Sequence, residues 1–505
     1  MSTLAWNFSS YLIILIATIF FILLWKAVTF VFNQSNVPRP KGNWLTGQLF
    51  EIIQSKDVMK TYHQWVKTYG PIVEYRPLGI FGPTNYLVSD ADAVKQILVT
   101  NSFKYHRPSV GGKLLSHKNV VRANGKEHSR MRKMLNPAFK VNNLKSMVDV
   151  FHEKAKLLEK VWNDTICAKN SNDEECKLFV QKDFIRLSFD VLGECVFGYE
   201  FNSIEAGNTP VTQAFQDFTT GPNMGANTLT RRLLHFLPFH KRSIKRKFQE
   251  SLKTTSKVIK QIIDNKQEKQ RGMSSRRKDL LDLLLEAVDD ETGQGMDEEE
   301  LHSQLFIFLV AGHDTSSTAL SWALYFLAQY PDIQEKLRSE VKETLKEREE
   351  SWETYESMEY LTAVVNETLR LRPPAPVTRR KVMHDDNILG YNIPTGSVIV
   401  FPLYALHRKP EYWTDPENFN PDRFLETDKQ NNPNNRFAFL PFSTGPRTCI
   451  GYKFALMEIK IVLATLIQDF TFSMIPGMSF EGSLSFTYLY KPKPSLQLLI
   501  RNVSE

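Results

Sequence analysis

Cysteine is scarce: Cys167, Cys176, Cys195 and Cys449 are the four in a chain of 505 residues. Four so widely spaced do not make a disulfide framework. No close CxxC pair exists, which argues against a zinc site or a redox dithiol, and the bulk of the chain reads as cytosolic and reducing. Charge of one sign is also in short supply. The formal net charge of +7 is spread along the chain, enough to favour anionic lipid or an acidic protein partner. It is too thin for nucleic acid, for which no motif is present. The densest basic stretch, Lys241, Arg242, Lys245, Arg246 and Lys247, has helical spacing and reads as a solvated face. There is no internal repeat and no low-complexity tract. What is plentiful is apolar: 42% of residues are hydrophobic and 34 are Phe, the make-up of a globular chain with a large core. Cys195, within VLGECVFG, reads as a buried core thiol.

Near the N-terminus the missing feature is charge. None occurs from Met1 to Trp25, and Tyr11 to Trp25 is nearly all apolar. Only Lys26 interrupts the apolar character before Phe32. A bilayer core takes roughly 20 apolar residues of helix. A cleaved signal peptide wants basic residues ahead of its apolar run, whereas here Lys26, Arg39 and Lys41 follow it. Residues 1–32 are therefore expected to be a single-pass membrane anchor, with the chain after it in the cytoplasm. Asn7-Phe8-Ser9 is a glycosylation sequon on the far side, too near the membrane for use. The prolines of Val37-Pro38-Arg39-Pro40-Lys41-Gly42 deny helix, making residues 33–44 a stiff hinge before a globular part at 45–505.

In that part, Ile72–Pro77 and Thr84–Val88 read as strands joined by a turn, and Ala91–Thr100 as a helix. From Asn142 to Lys346 apolar residues recur at helical spacing, broken at Thr219–Thr228 and Asn265–Lys278. Asp297-Glu298-Glu299-Glu300 starts a long helix, Leu301 to Gln329, because its negative charges face the positive end of the helix dipole. Strand-like, proline-rich segments fill Pro373 to Pro441, and Lys453–Gln468 is helical.

Three constellations carry chemistry. The first is Phe442-Ser443-Thr444-Gly445-Pro446-Arg447-Thr448-Cys449-Ile450-Gly451, just ahead of the Lys453 helix. Its glycines permit sharp turns and close backbone approach. The following helix start lends its dipole and free N–H groups to a thiolate, and Arg447 can pair with a carboxylate. The second, Ala311-Gly312-His313-Asp314-Thr315, lies midway along the long apolar helix. Gly312 costs about 1 kcal/mol there relative to Ala, which asks for a reason; close approach of a flat ligand is one. The Thr315 hydroxyl can bond back to Ala311 and open a notch, and an adjacent acid and alcohol can relay protons. His313 is not expected to bind metal. The third is Glu367-Thr368-Leu369-Arg370, with Phe419-Asn420-Pro421-Asp422-Arg423-Phe424 downstream.

Together these segments resemble the cytochrome P-450 family. The cysteine loop matches its FxxGxRxCxG haem loop, the helix its (A/G)Gx(D/E)T, and the third pair its EXXR and PERF segments, with Asp422 in place of Glu. The likeness covers the chain after the hinge. It implies a mainly α fold, a large helical domain plus a small β-rich lobe, here with an N-terminal transmembrane helix. It implies haem b between the long helix and the loop, Cys449 as the metal ligand, and Phe442, Gly451, Arg447 and Gly312 around the cofactor. Asp314 and Thr315 would deliver protons, while Glu367, Arg370 and Arg423 would brace the core. Arg132, in a helix resembling WxxxR with His128 at the Trp position, and Arg380, or its neighbour Arg379, would meet the propionates.

The activity implied is NADPH- and O2-dependent hydroxylation of a lipophilic molecule at the endoplasmic reticulum membrane. Electrons would come through NADPH–cytochrome P450 reductase, with cytochrome b5 a second candidate donor, docking near Lys133, Arg447 and Lys453. Phe215, Phe218, Phe236 and Phe239 suggest an oily ligand or simply core. Two rivals stand beside this activity: an isomerase or dehydratase on the same fold, and a haem-binding sensor without turnover.

Overall fold

In this computed structural model the described residues are 10–18, 20–22, 24–25, 35–108, 118–169, 175–207, 209–220, 238–270, 278–425, 435–485 and 488–503. Residues 10–18 are helical, and Tyr11, Ile13 and Ile14 are exposed. Among the described residues no helix is long and apolar enough to cross a membrane. The expected anchor falls partly outside them. So do the sequon Asn7-Phe8-Ser9, Lys26, Phe236 and most of Thr219–Thr228.

The longer helices are α1 (Val58–Tyr69), α2 (Gly125–Leu135), α3 (Val148–Lys169), α4 (Val180–Phe197), α5 (Pro210–Thr220), α6 (Pro238–Gln270), α7 (Glu298–Gln329), α8 (Pro331–Glu347), α9 (Glu359–Leu371) and α10 (Tyr452–Asp469). The acidic start of α7 is a capping box. Asp297 Oδ1 accepts from Glu300 N at 2.7 Å, and Glu300 Oε2 accepts from Asp297 N at 3.2 Å, satisfying two end groups that the helix itself leaves unpaired. A helix apolar on most faces must be buried on most faces. Leu305, Leu320, Trp322, Ala323 and Leu327 of α7 are accordingly buried, and α3, α4, α7, α9 and α10 share one continuous core.

The strands are β1 (Ile72–Tyr75), β2 (Asn85–Val88), β3 (Tyr105–His106), β4 (Cys176–Leu178), β5 (Val377–Val382), β6 (Asp386–Ile388), β7 (Tyr391–Ile393), β8 (Val398–Pro402), β9 (Phe470–Ser473), β10 (Glu481–Leu484), β11 (Tyr490–Lys493) and β12 (Leu498–Asn502). Five form one sheet in the order β1-β2-β8-β5-β3, so the strands expected near residue 72 pair with those of the proline-rich region. β1 and β2 are antiparallel, Ile72 opposite Val88, while β2 and β8 run parallel. The segment expected as one helix divides into α-helix Ala91–Lys95 and a wider turn, Gln96–Thr100.

Behind the core lies a fully buried charge network. Arg370 Nε and Nη2 donate to the two Glu367 oxygens at 2.6 and 2.7 Å, and Arg423 Nε donates to Glu367 Oε1 at 3.1 Å. Arg370 Nη1 also donates to the carbonyls of His407 and Pro416. The carboxylate on α9 thus fixes the irregular segment that leads toward the cysteine loop. His407 completes the join, with Nε2 accepting from Leu440 N and Nδ1 facing Arg370 O. Burial holds its pKa down at about 3, so the ring stays neutral and can accept.

Candidate active site

The loop before α10 is shaped by two left-handed residues, Ser443 (φ 61°) and Gly445 (φ 71°). A Cβ at Gly445 would lie 2.1 Å from the Leu98 carbonyl oxygen, so only glycine fits. Cys449 N donates to Phe442 O at 2.9 Å and Thr448 Oγ1 to Gly445 O at 2.8 Å, closing the turn. Phe442 packs against the core. Gly451 caps α10, and its N–H points to the cysteine sulfur. Cys449 is open to solvent although protein surrounds it, as a side chain lining a recess would be. Burial pushes its thiol up, while the Gly451 N–H, Arg132 and Arg107 pull it back.

Arginines gather beside this loop. Arg132 on α2 donates to Thr448 O at 2.8 Å, one residue from the cysteine. Arg447 turns inward, donating to Val120 O at 3.2 Å, Ala123 O at 2.6 Å and Asn124 Oδ1 at 2.8 Å. Arg380 is buried, and among the described residues its hydrogen-bond partners are Thr378 Oγ1 and Arg379 O. Burial and then the charges of Arg107 and Arg447 lower Arg380 to about 9; burial, Arg107 and Arg132 lower Arg447 to about 10. Among the described residues neither forms an ion pair with a carboxylate. His128 is buried nearby and pushed down to about 4 by burial and the same arginines, so it is a neutral hydrogen-bonding ring. A cavity of about 1010 Å³ runs beside this cluster, lined by His106, His128, Arg380 and Arg447 and also by Glu127, Asp289 and Glu291, while Cys449 and Thr315 are not among its lining residues. Guanidinium groups gathered beside the cysteine loop fit the two propionates of a haem, so Arg132, Arg380 and Arg447 suit the cofactor that the loop implies. Arg379 instead stacks on Tyr488, its guanidinium carbon 4.9 Å from the ring centre, which leaves Arg380 as the member of the pair that joins the cluster. Arg107 was missed in the sequence: its sole signal is its place beside the two-residue β3, and its role depends on contacts made far along the chain.

On α7, which runs unbroken from Glu298 to Gln329, the expected back-bond of Thr315 is present. Thr315 Oγ1 donates to Ala311 O at 2.7 Å, with Gly312 O 3.3 Å away. Ala311 is exposed and Thr315 half-buried in a helix otherwise packed on its flanks. Asp314 is buried, one carboxylate oxygen taking a hydrogen bond from Lys491 Nζ at 2.5 Å. Gly312 has a reason other than the one its sequence context suggests: a Cβ there would lie 2.7 Å from Leu192 Cδ1. With α7 packed this closely on α4, a side chain at this position would fit only if Leu192 shifted. His313 is buried against Phe189 and Phe215, with Nδ1 2.7 Å from Leu309 O. Phe215 is therefore core. Phe218 and Phe239 have side chains outside the described residues. Of the expected docking cations, Lys133 is exposed, Lys453 is half-buried, and Arg447 faces inward.

Beneath this part of α7 sits a group that the sequence reading missed. Glu458 on α10 is almost fully buried, one carboxyl oxygen has no hydrogen-bond partner among the described residues, and Ser316 and Ser188 are its polar neighbours. Burial raises it from 4.5 to about 7. A folded state that keeps this proton gains stability that is fully present below pH about 4.5 and lost as the pH rises through about 7. The full effect is on the order of 3 kcal/mol. Glu458→Gln should flatten that slope. Denaturant midpoints at pH about 5 and about 8, compared between the two proteins, check it.

A cysteine on a glycine-turned loop at a helix start, arginines beside it that form no ion pair with a carboxylate among the described residues, and a helix threonine bonded back to Ala311 are the features expected of a haem-thiolate protein. The cytochrome P450 family model matches residues 37–500. The chain belongs to the cytochrome P450 family, and it is a haem-thiolate monooxygenase, an oxidoreductase. Among its relatives, cytochrome P450 3A16 of Mus musculus is 29% identical over 483 residues, covering 93% of this chain and 92% of that one. Cytochrome P450 3A6 of Oryctolagus cuniculus is 31% identical over 429 residues (82% of each). Cytochrome P450 4F12 of Homo sapiens is 30% identical over 460 residues, covering 86% of this chain and 83% of that one.

Proposed function

We propose that this chain hydroxylates a lipophilic small molecule of the fatty acid, steroid or terpenoid class. It would draw electrons from NADPH through NADPH–cytochrome P450 reductase, with cytochrome b5 as a second candidate donor. The supporting observation is the Thr315 hydroxyl bonded back to Ala311 beside the buried Asp314 carboxylate. An isomerase or dehydratase that uses no dioxygen can dispense with such a proton relay.

Cys449 would hold haem b, and a haem so held would supply the thiolate-bound iron chemistry that activates dioxygen. Arg107, Arg132, Arg380 and Arg447, with neutral His128, would hold its propionates. Phe442 and Gly451 shape the loop so that the sulfur stands at the start of α10. Thr315 Oγ1 would hold a proton beside the Ala311 carbonyl and pass it inward, and the Asp314 carboxylate would take up a proton from solvent at Oδ2 and hand it on to Thr315. Residues 1–32 would anchor the protein in the endoplasmic reticulum membrane, residues 33–44 act as hinge, and residues 45–505 form the cytoplasmic catalytic domain. The charge-free run Tyr11–Trp25 supports that placement.

The test joins purified haem-loaded protein to reductase, NADPH and a panel of lipid classes. A type I spectral shift with one class, followed by its hydroxylated product in step with NADPH consumption, supports the reading. A thiolate-type spectrum without NADPH consumption would point to a sensor, and product formed without dioxygen to an isomerase.

A further inference from the structure

The acid beside Thr315 is held from outside its own helix. Lys491 Nζ, on β11, reaches Asp314 Oδ1 at 2.5 Å, with side-chain exposures of 14% and 2%. The other oxygen, Asp314 Oδ2, is buried and has no hydrogen-bond partner among the described residues. The strand carrying Lys491 is itself tied to α7 two turns on, where Trp322 Nε1 donates to Tyr490 O at 2.7 Å. Tyr490 is fixed on two further sides: its N–H donates to Pro374 O at 2.8 Å, and its hydroxyl to Asp57 Oδ2. The Arg372 guanidinium lies 5.1 Å from the Trp322 ring centre and 5.8 Å from that of Tyr490. The ammonium is thus delivered by a strand whose backbone is locked to the same helix.

A buried carboxylate without a cation is costly, and a buried pair is favourable only when its geometry is well held. Here one oxygen is paired and one is left bare beside the residue that carries the back-bonded hydroxyl. We propose that Lys491 is a positioning residue for Asp314: the β10–β11 hairpin pins one carboxylate oxygen, leaving Oδ2 as the atom that exchanges protons with the Thr315 side of α7. The inference rests on the monooxygenase reading and extends it to a residue 177 positions away in the chain.

The test uses the full haem-loaded chain with Lys491→Met, Lys491→Arg, Asp314→Asn and the double variant Asp314→Asn/Lys491→Met. Infrared spectroscopy without turnover reads the state of Asp314 directly. Against the band that the buried Glu458 contributes to every variant near neutral pH, the Lys491→Met minus wild-type difference spectrum should show a further protonated carboxyl band, and the corresponding difference spectra of Lys491→Arg and of the double variant should not. In turnover with reductase, product per NADPH should fall about tenfold in Lys491→Met. It should be retained in Lys491→Arg and fall no further in the double variant than in Asp314→Asn. Product per NADPH unchanged in Lys491→Met, or no new carboxyl band, would overturn the proposal. Wild type that consumes no NADPH would instead overturn the monooxygenase reading.

Discussion

Glu367→Gln should lower the unfolding free energy by about 3–5 kcal/mol. The substitution keeps the shape and removes the charge. It leaves Arg370 and Arg423, both nearly inaccessible, facing each other across an amide. The lost acceptors are specific: Glu367 Oε1 takes hydrogen bonds from Arg370 Nη2, Arg423 Nε and Asn420 N. An amide nitrogen on either side of the group would confront a guanidinium. Stability of folded chains is typically about 5–15 kcal/mol, so the loss is a large share of the whole. It should also loosen the segment from His407 to Leu440 that leads to the cysteine loop, lowering haem bound per chain. Denaturant midpoints and haem content check both. Lys336–Asp422 is the control: this pair is about half exposed on each side, and its removal should shift stability by less than about 1 kcal/mol.

Thr315→Ala should cut product per NADPH by about 100-fold while leaving lipid binding in place. The hydroxyl is held by the Ala311 carbonyl at 2.7 Å, so its loss removes a proton carrier without disturbing a packed contact. Asp314→Asn should act in the same direction, with the added cost of leaving Lys491 unpaired. NADPH consumed, product formed and hydrogen peroxide released, measured together, separate a failed proton relay from failed substrate binding: the reductant is still spent, but on peroxide. A drop in lipid affinity equal to the drop in product would place Thr315 in the substrate wall instead.

The sequence discloses the parts of this site that act over short stretches of chain. Ten consecutive residues, Phe442 to Gly451, contain the proposed iron ligand, the turn glycine and the helix start, so their chemistry can be recognised in place. The same holds for Ala311–Thr315, where the hydroxyl and its acceptor are one helical turn apart. Glu367 and Arg370 are legible as a pair, but burial turns an ordinary helix-surface motif into a core network, and burial depends on Arg423 and the carbonyls around it. Lys491, Glu458, His407 and Arg107 were not readable. Each is an ordinary residue locally and becomes special only through elements packed against it from far along the chain. Gly312 shows a subtler limit: its position invites a ligand explanation, yet the space it spares is taken by Leu192 of the neighbouring helix.

One spectrum bears most directly on Cys449. Purified wild type and Cys449→Ser, each reduced and exposed to carbon monoxide, should differ completely: the wild type gives the red-shifted Soret band of a thiolate-ligated haem, and the serine variant lacks it. The same thiolate-type band from Cys449→Ser at full haem occupancy would show that some other side chain holds the iron.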